Sequence, residues 1–236
     1  MDLISFGDSF VEGLIKEPNE NSIKQRDEIC FTRKIYENSK LFQSYTNCGI
    51  RGLGNEAILY NVYKHASKSN NDNSFYLICL SGLERVGHYD ITKDEYRIPN
   101  QTRTYRNPIF RRTYEFEPIF QTQMLMTGIH HYLKNKNILH LFTSSFTPFH
   151  LFYNENIIPQ EYIIGDVDKA NSLFDIIADR FNKKVDHFGD YSLSHVNFFN
   201  TPKNTYIADC LHPSIEGHKL ISSTLLPYIE EHILKN

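Results

Sequence analysis

Three short stretches of the chain carry residue types and spacings that suit nucleophilic chemistry. Gly7-Asp8-Ser9 follows a short apolar run, Leu3 to Phe6. A serine there would stand where a strand ends and a helix begins, and the first N–H groups of a helix can stabilise developing negative charge. Near the other end of the chain, Asp209-Cys210-Leu211-His212-Pro213 sets a carboxylate three positions before an imidazole. In a turn, that spacing lets Asp209 accept from one ring nitrogen of His212 while the other faces a nucleophile. Between them, Asn47-Cys48-Gly49-Ile50-Arg51-Gly52-Leu53-Gly54-Asn55 is a glycine-rich loop. Glycines let backbone N–H groups come close to an oxyanion, and one such donor is worth roughly 3–4 kcal/mol of transition-state stabilisation.

Each stretch also has an ordinary structural reading. Gly-Asp-Ser is a common turn with a helix N-cap, Asp209 could cap the last helix beside a surface histidine, and loop glycines often serve turn geometry alone. The order changes the weighing: Ser9 and the glycine loop follow expected strands, and Asp209 and His212 precede an expected helix. Together they supply a complete Ser, His and Asp set.

The elements that must position these residues can be read from hydrophobic periodicity. Leu3 to Phe6 reads as a strand and Phe10 to Lys16 as a helix, then Leu41 to Cys48 as a strand and Asn55 to His65 as a helix. Phe75 to Leu80 is nearly all apolar, the pattern of a strand covered on both faces, and Ile138 to Phe142 repeats it. Helices are expected at about Phe120 to Lys134, Ser172 to Lys183 and Pro213 to Ile233. The last has Pro213 in its first turn, Ile215, Leu220, Ile221, Leu225 and Ile229 facing inward, and a kink at Pro227. Strand then helix, repeated, predicts an α/β fold with a mostly parallel sheet. The 236 residues fit one such domain. Ser67 to Ser74 reads as an exposed loop.

Between Val86 and Pro118 the pattern dissolves into Tyr, Arg, Asn and Pro, with Arg97, Arg103, Arg106, Arg111 and Arg112 among Tyr89, Tyr96, Tyr105 and Tyr114. Such a stretch is too long for an ordinary connection, so it reads as a functional loop or small cap. Aromatic faces stack on sugars and guanidinium groups clamp carboxylate or phosphate. Alternatively the arginines pair with Asp94, Glu115 and Glu117 on a solvated cap.

Composition excludes several classes. A 40% hydrophobic fraction with 17 Phe and 15 Tyr can fill a core, and 22% charged residues can cover it, which excludes wholesale disorder and coiled coils. The net charge of −3 gives no field that would draw the chain to nucleic acid or an anionic membrane. Cys30, Cys48, Cys79 and Cys210 are widely spaced with no Cys-x-x-Cys pair, so free thiols in a reducing compartment are expected. His130, His131, His140 and His150 form no i, i+4 metal pair. With no basic stretch leading a long apolar run at the N-terminus, a soluble, cytoplasmic protein is expected. Nothing in the sequence sets an oligomeric state.

On these motifs the sequence resembles the SGNH, or GDSL-type, hydrolase family. Its first block matches Gly7-Asp8-Ser9, which implies Ser9 as nucleophile and first oxyanion donor; its second matches Asn47 to Gly52, which implies Gly52 as second donor. Its last, Asp-x-x-His, matches Asp209 to His212, and Glu216-Gly217-His218 resembles the segment that commonly follows. The third block departs: where the family has Gly-x-Asn-Asp, this chain reads Leu80-Ser81-Gly82-Leu83-Glu84-Arg85. An ionised Glu84 cannot donate to an oxyanion, so Asn55 or Ser81 would fill that role, or two backbone donors would serve alone. Divergent, often viral, branches of the family carry Glu-Arg at this place, and Gly52 to Asn55 resembles them too. Asp8, Gly52, Asn55 and Glu84 are therefore the candidate oxyanion and substrate-binding residues beside Ser9, Asp209 and His212. The resemblance implies a flavodoxin-like three-layer α/β/α sandwich with a mostly parallel sheet of about five strands, a serine esterase with no metal or organic cofactor, and an ester of a small molecule or glycan as partner. Among its substrates, the polar aromatic insert favours O-acetyl carbohydrate over lipid. The rival reading is a catalytically silent glycan-binding or structural module on the same fold.

Overall fold

The structure, a computed structural model, describes residues 1–13, 27–68, 73–82, 88–90, 95–97, 117–145, 158–164, 172–177, 205–207 and 212–236. Its centre is a four-stranded sheet of β1 (Asp2–Gly7), β2 (Ser44–Gly49), β3 (Ser74–Leu80) and β6 (Leu139–Ser144) in the order β2-β1-β3-β6. Every pairing in it is parallel. A fifth position is marked by a single parallel bridge from Phe142 to Ile163, where the Ile164 N–H donates to the Phe142 carbonyl at 2.8 Å.

The all-apolar reading of β3 is explained by what covers it. All seven of its residues are buried, and alternate ones belong to opposite layers. Tyr76, Ile78 and Leu80 pack with Ile4, Phe6 and Phe142 against α3 (Asn55–Lys68) and α4 (Glu117–Asn135). Phe75, Leu77 and Cys79 pack with Leu3 and Leu141 against α1 (Ser9–Glu12), α2 (Phe31–Asn38), α5 (Leu173–Ile177) and α6 (Ile215–Lys235). Period-two side chains on a strand with helices on both faces give the α/β/α sandwich.

Strand order then locates the site. The chain leaves β1 for β2 on one side and crosses back to β3 on the other, so the switch point lies between the carboxyl ends of β1 and β3, where open α/β sheets bind ligands. Gly7-Asp8-Ser9 and Ser81-Gly82 both sit there. Gly7 packs so tightly on β3 that a Cβ would come within 2.9 Å of the Cys79 carbonyl oxygen.

Several element boundaries differ from the expectations. Of the helix expected over Phe10 to Lys16, α1 covers the residues up to Glu12 and stops at Gly13, which adopts φ 77 and returns its N–H to the Ser9 carbonyl, while residues 14–16 lie outside the described residues. The second strand begins at Ser44, not Leu41. The last helix begins at Ile215: Ser214 is its N-cap, accepting from the Gly217 N–H at 3.0 Å, and Pro213 lies outside it, bridged to Ile207. Ile215, expected to face inward, is 49% exposed, while Ile221, Leu225 and Ile229 are buried as the periodicity requires. Pro227 lies inside the helix. Of the expected Ser67 to Ser74 loop, Ser67 and Lys68 belong to α3 and Ser74 is buried in β3, while residues 69–72 lie outside the described residues.

Within the Tyr/Arg-rich stretch, β4 (His88–Asp90) and β5 (Glu95–Arg97) pair antiparallel with Tyr89 opposite Tyr96. Residues 83–87, 91–94 and 98–116 lie outside the described residues, as does the expected helix beyond Ile177. Among the described residues no helix is long and apolar enough to cross a membrane.

Candidate active site

Ser9 is the first residue of α1, and Asp8 is its N-cap. The Asp8 carboxylate is fully buried and gathers at least three donors among the described residues. Its Oδ1 accepts the Phe10 N–H at 3.0 Å and the Ser145 hydroxyl at 2.8 Å, while Oδ2 accepts the Ser81 hydroxyl at 2.7 Å. Ser81 follows β3 and Ser145 follows β6, so one carboxylate ties the turn carrying Ser9 to the ends of two strands. The sequence reading missed Ser145. Its signal was the small polar residue directly after an apolar strand, the pattern already present at Ser9 and Ser81.

His212 arrives from the far end of the chain. The segment before α6 is held by the Ile207–Pro213 bridge, by the Ser214 N–H on the Tyr206 carbonyl at 2.9 Å and by the Ser214 hydroxyl on the Thr205 carbonyl at 2.6 Å. The His212 ring lies 5.8 Å, centroid to centroid, from the buried Phe10 ring. Its Nε2 is 2.8 Å from Ser9 Oγ, a contact across 203 positions of sequence. The sequence-derived Ser and His are thus in hydrogen-bond contact. Asp209 and Glu84 lie outside the described residues.

The glycine loop closes over α1. The Ile50 N–H donates to the Gly7 carbonyl at 3.0 Å, and Asn47 donates to the Val11 carbonyl at 2.9 Å while accepting the Gly49 N–H at 2.9 Å. Gly52 has φ 78, open to glycine at little cost. Asn55 Oδ1 accepts the Ser81 N–H at 2.7 Å, and its amide donates to Thr122 at 3.4 Å. Both Ser81 donors are therefore engaged, its N–H on Asn55 and its hydroxyl on Asp8.

None of the described cysteines is poised as a thiolate. Cys30, Cys48 and Cys79 are free thiols, and burial pushes each above its usual pKa, away from the reactive thiolate. Cys210 is outside the described residues.

The histidines expected not to bind metal show what some of them do instead. His140 Nδ1 lies 2.9 Å from the Ile138 carbonyl, which can only accept, so this nitrogen carries the proton and Nε2 accepts from His130 Nδ1 at 3.0 Å. Among the described residues no group of three or more His, Cys, Asp and Glu could hold a metal ion. His218 Nδ1 likewise accepts the Phe31 N–H at 3.2 Å, and its buried Nε2 has no partner.

Burial pushes the pKa of both His140 and His218 from 6.5 down to about 3, with nearby His130 and His212 respectively adding to the effect. The unfolded chain therefore binds more protons than the fold, and stability falls as pH drops from 6.5 toward 3. Each histidine is expected to contribute a slope of about 1.4 kcal/mol per pH unit inside that window. Urea midpoints at about pH 7.5 and about pH 5 check this; equal midpoints would show that the two rings are not buried as neutral groups.

No family model matches the chain, and no curated protein matches it. Solved structures do. They include lipolytic proteins of the G-D-S-L family and acetylxylan esterases. A member of the lipolytic G-D-S-L family from Veillonella parvula is 12% identical, with 96% of each chain covered and a TM-score of 0.45. TesA is 12% identical, with 98% of this chain and 99% of that one covered and a TM-score of 0.48. A catalytic mutant of Axe2, an acetylxylan esterase from Geobacillus stearothermophilus, is 13% identical, with coverage of 97% and 93% and a TM-score of 0.47.

Proposed function

We propose that this chain is a serine-dependent carboxylic ester hydrolase that works through an acyl-enzyme. The observation that carries this reading is the 2.8 Å contact between Ser9 Oγ and His212 Nε2 at the sheet's switch point. A hydroxyl at that distance can pass its proton to an unprotonated imidazole as it attacks a carbonyl carbon. Asp209 would hold the other ring nitrogen and stabilise the imidazolium. As the first residue of α1, Ser9 has an N–H with no intrahelical acceptor, so with Gly52 it can receive the tetrahedral oxyanion.

Collapse of that intermediate breaks the ester C–O bond, and the leaving alkoxide takes its proton from His212. Water then attacks the acyl carbon, His212 removes the water's proton and returns it to Ser9 Oγ as the acid leaves. Asn55 keeps a second amide hydrogen beyond the one given to Thr122, whereas Ser81 has none left. Asn55 is therefore the side-chain candidate for a third donor.

For substrate class we propose an O-acetyl ester of a carbohydrate, on the strength of the Tyr/Arg-rich stretch between Val86 and Pro118. Trapping the intermediate tests the mechanism. With p-nitrophenyl acetate, a burst of nitrophenol is expected, and acid-quenched protein should gain one acetyl group on the peptide carrying Ser9. A covalent adduct on another residue, or turnover with no adduct and no burst, would count against Ser9. Binding of an acetylated sugar without any turnover would favour the silent glycan-binding module.

A further inference from the structure

We propose that Glu12 is a positioning residue that fixes the direction of the Gly52 N–H, an inference that rests on the esterase reading above. Glu12 is the last residue of α1, one turn beyond Ser9, and its Oε2 accepts the Arg51 N–H at 2.8 Å. The contact joins the helix that carries the nucleophile to the residue just before the second oxyanion donor.

Its importance follows from the shape of the loop. Ile50 to Leu53 forms a four-residue turn, closed by the Leu53 N–H on the Ile50 carbonyl at 3.4 Å, with φ 78 at its third residue, Gly52. A positive φ at that position is the mark of a type II turn. Types I and II follow nearly the same path and differ by a flip of the central peptide, here the one between Arg51 and Gly52. That peptide carries the Gly52 N–H. Where that N–H stands relative to Ser9 depends on how the preceding Ile50–Arg51 peptide is held.

The neighbouring units are anchored on the nucleophile's own elements. The Ile50 N–H is held by the Gly7 carbonyl, and Gly49 lies so close to α1 that a Cβ there would sit 2.5 Å from the Glu12 nitrogen. The Arg51 N–H is held by the Glu12 side chain. Without that acceptor it turns to water, and the Ile50–Arg51 peptide, from which the Arg51–Gly52 peptide is hung, is no longer fixed against α1, so the Gly52 N–H loses its set position relative to Ser9. Glu12 and Arg51 meet at the surface, so losing the bond costs the fold little, whereas misdirecting an oxyanion donor costs rate directly.

The test compares wild type with Glu12→Ala, Glu12→Gln and Ser9→Ala in steady-state hydrolysis of p-nitrophenyl acetate, with melting temperatures alongside. Glu12→Ala is expected to lower kcat on the order of 10-fold or more, with KM changed by no more than about twofold, against the 10²–10³-fold of losing a donor outright. Glu12→Gln keeps a carbonyl oxygen for the Arg51 N–H and is expected to restore most of kcat. A kcat in Glu12→Ala equal to wild type, or Glu12→Gln as impaired as Glu12→Ala, overturns the proposal.

A second variant keeps the test sharp. In Arg51→Pro the N–H is gone while the ring keeps the φ that the second position of the turn needs, so adding Glu12→Ala there should have no further effect. The full loss persisting in that background would overturn the proposal. Ser9→Ala separates the two levels of inference: Ser9-independent turnover defeats the esterase reading, and Ser9-dependent turnover that ignores Glu12 defeats this one alone.

Discussion

Ser9→Ala and His212→Ala are each expected to lower kcat/KM for acetyl-ester hydrolysis on the order of 10³-fold or more, and the double variant is expected to fall little further. The size follows from what each change removes. In the proposed mechanism, no acyl-enzyme forms without Ser9 Oγ, and without His212 the hydroxyl must attack with its proton in place. A factor of 10³ corresponds to about 4 kcal/mol of lost transition-state stabilisation, more than an ordinary hydrogen bond contributes to folding. The non-additivity follows from the 2.8 Å contact, because two groups that act as one unit can be disabled only once. What remains in each variant is the work of backbone donors and substrate binding. Steady-state kinetics on the four proteins, with circular dichroism to confirm the fold, gives the answer. Losses that multiply in the double variant would mean that Ser9 and His212 act independently. Background rates in all the proteins, wild type included, would remove the esterase assignment for simple esters and leave a fold that binds without turning over, whereas wild-type turnover in both single variants would place the chemistry on other groups.

How far this site could be read from the sequence depended on where each residue sits relative to strong local signals. Ser9 follows an apolar run that ends in glycine, and His212 precedes a long amphipathic helix, so both lay beside elements that periodicity detects. The buried runs of β3 and β6 were legible for the same reason: a strand covered on both faces has no polar alternation to blur it. Errors fell at boundaries. Gly13 stops α1 by adopting a left-handed conformation that composition alone does not announce, and Ile215 fits a helical stripe yet lies in the first turn, where it is largely exposed. The supporting network was not legible at all. Ser145 meets Asp8 from 137 positions away because β6 lies beside β3 and β3 beside β1, and that order is a property of the assembled sheet. Glu12 likewise gains its meaning only once β2 has brought Arg51 alongside α1.

That hidden network carries the second large expectation: Asp8→Ala should destabilise the fold by roughly 3–4 kcal/mol, and Asp8→Asn by about 1 kcal/mol. In the alanine variant the Phe10 N–H and the hydroxyls of Ser81 and Ser145 lose their shared acceptor in a place closed to water, since Asp8, Ser81 and Ser145 are all fully buried. A buried donor left unsatisfied costs about 1–3 kcal/mol, and the hydroxyls recover part of that by rotating. Ser145, for one, already lies 3.2 Å from Cys79 Sγ. Asparagine keeps one oxygen for the Phe10 N–H and presents an amide to a serine hydroxyl, which can turn and accept, so most of the network survives. Urea midpoints for the three proteins measure the difference. The same variants should also separate the carboxylate's two consequences, because the turn it caps carries Ser9: Asp8→Asn should keep most of the wild-type kcat, while Asp8→Ala should lose rate even at temperatures where it remains folded. Equal midpoints for wild type and Asp8→Ala would show that the three donors find water in solution, and that the ends of β1, β3 and β6 are held together by apolar packing alone.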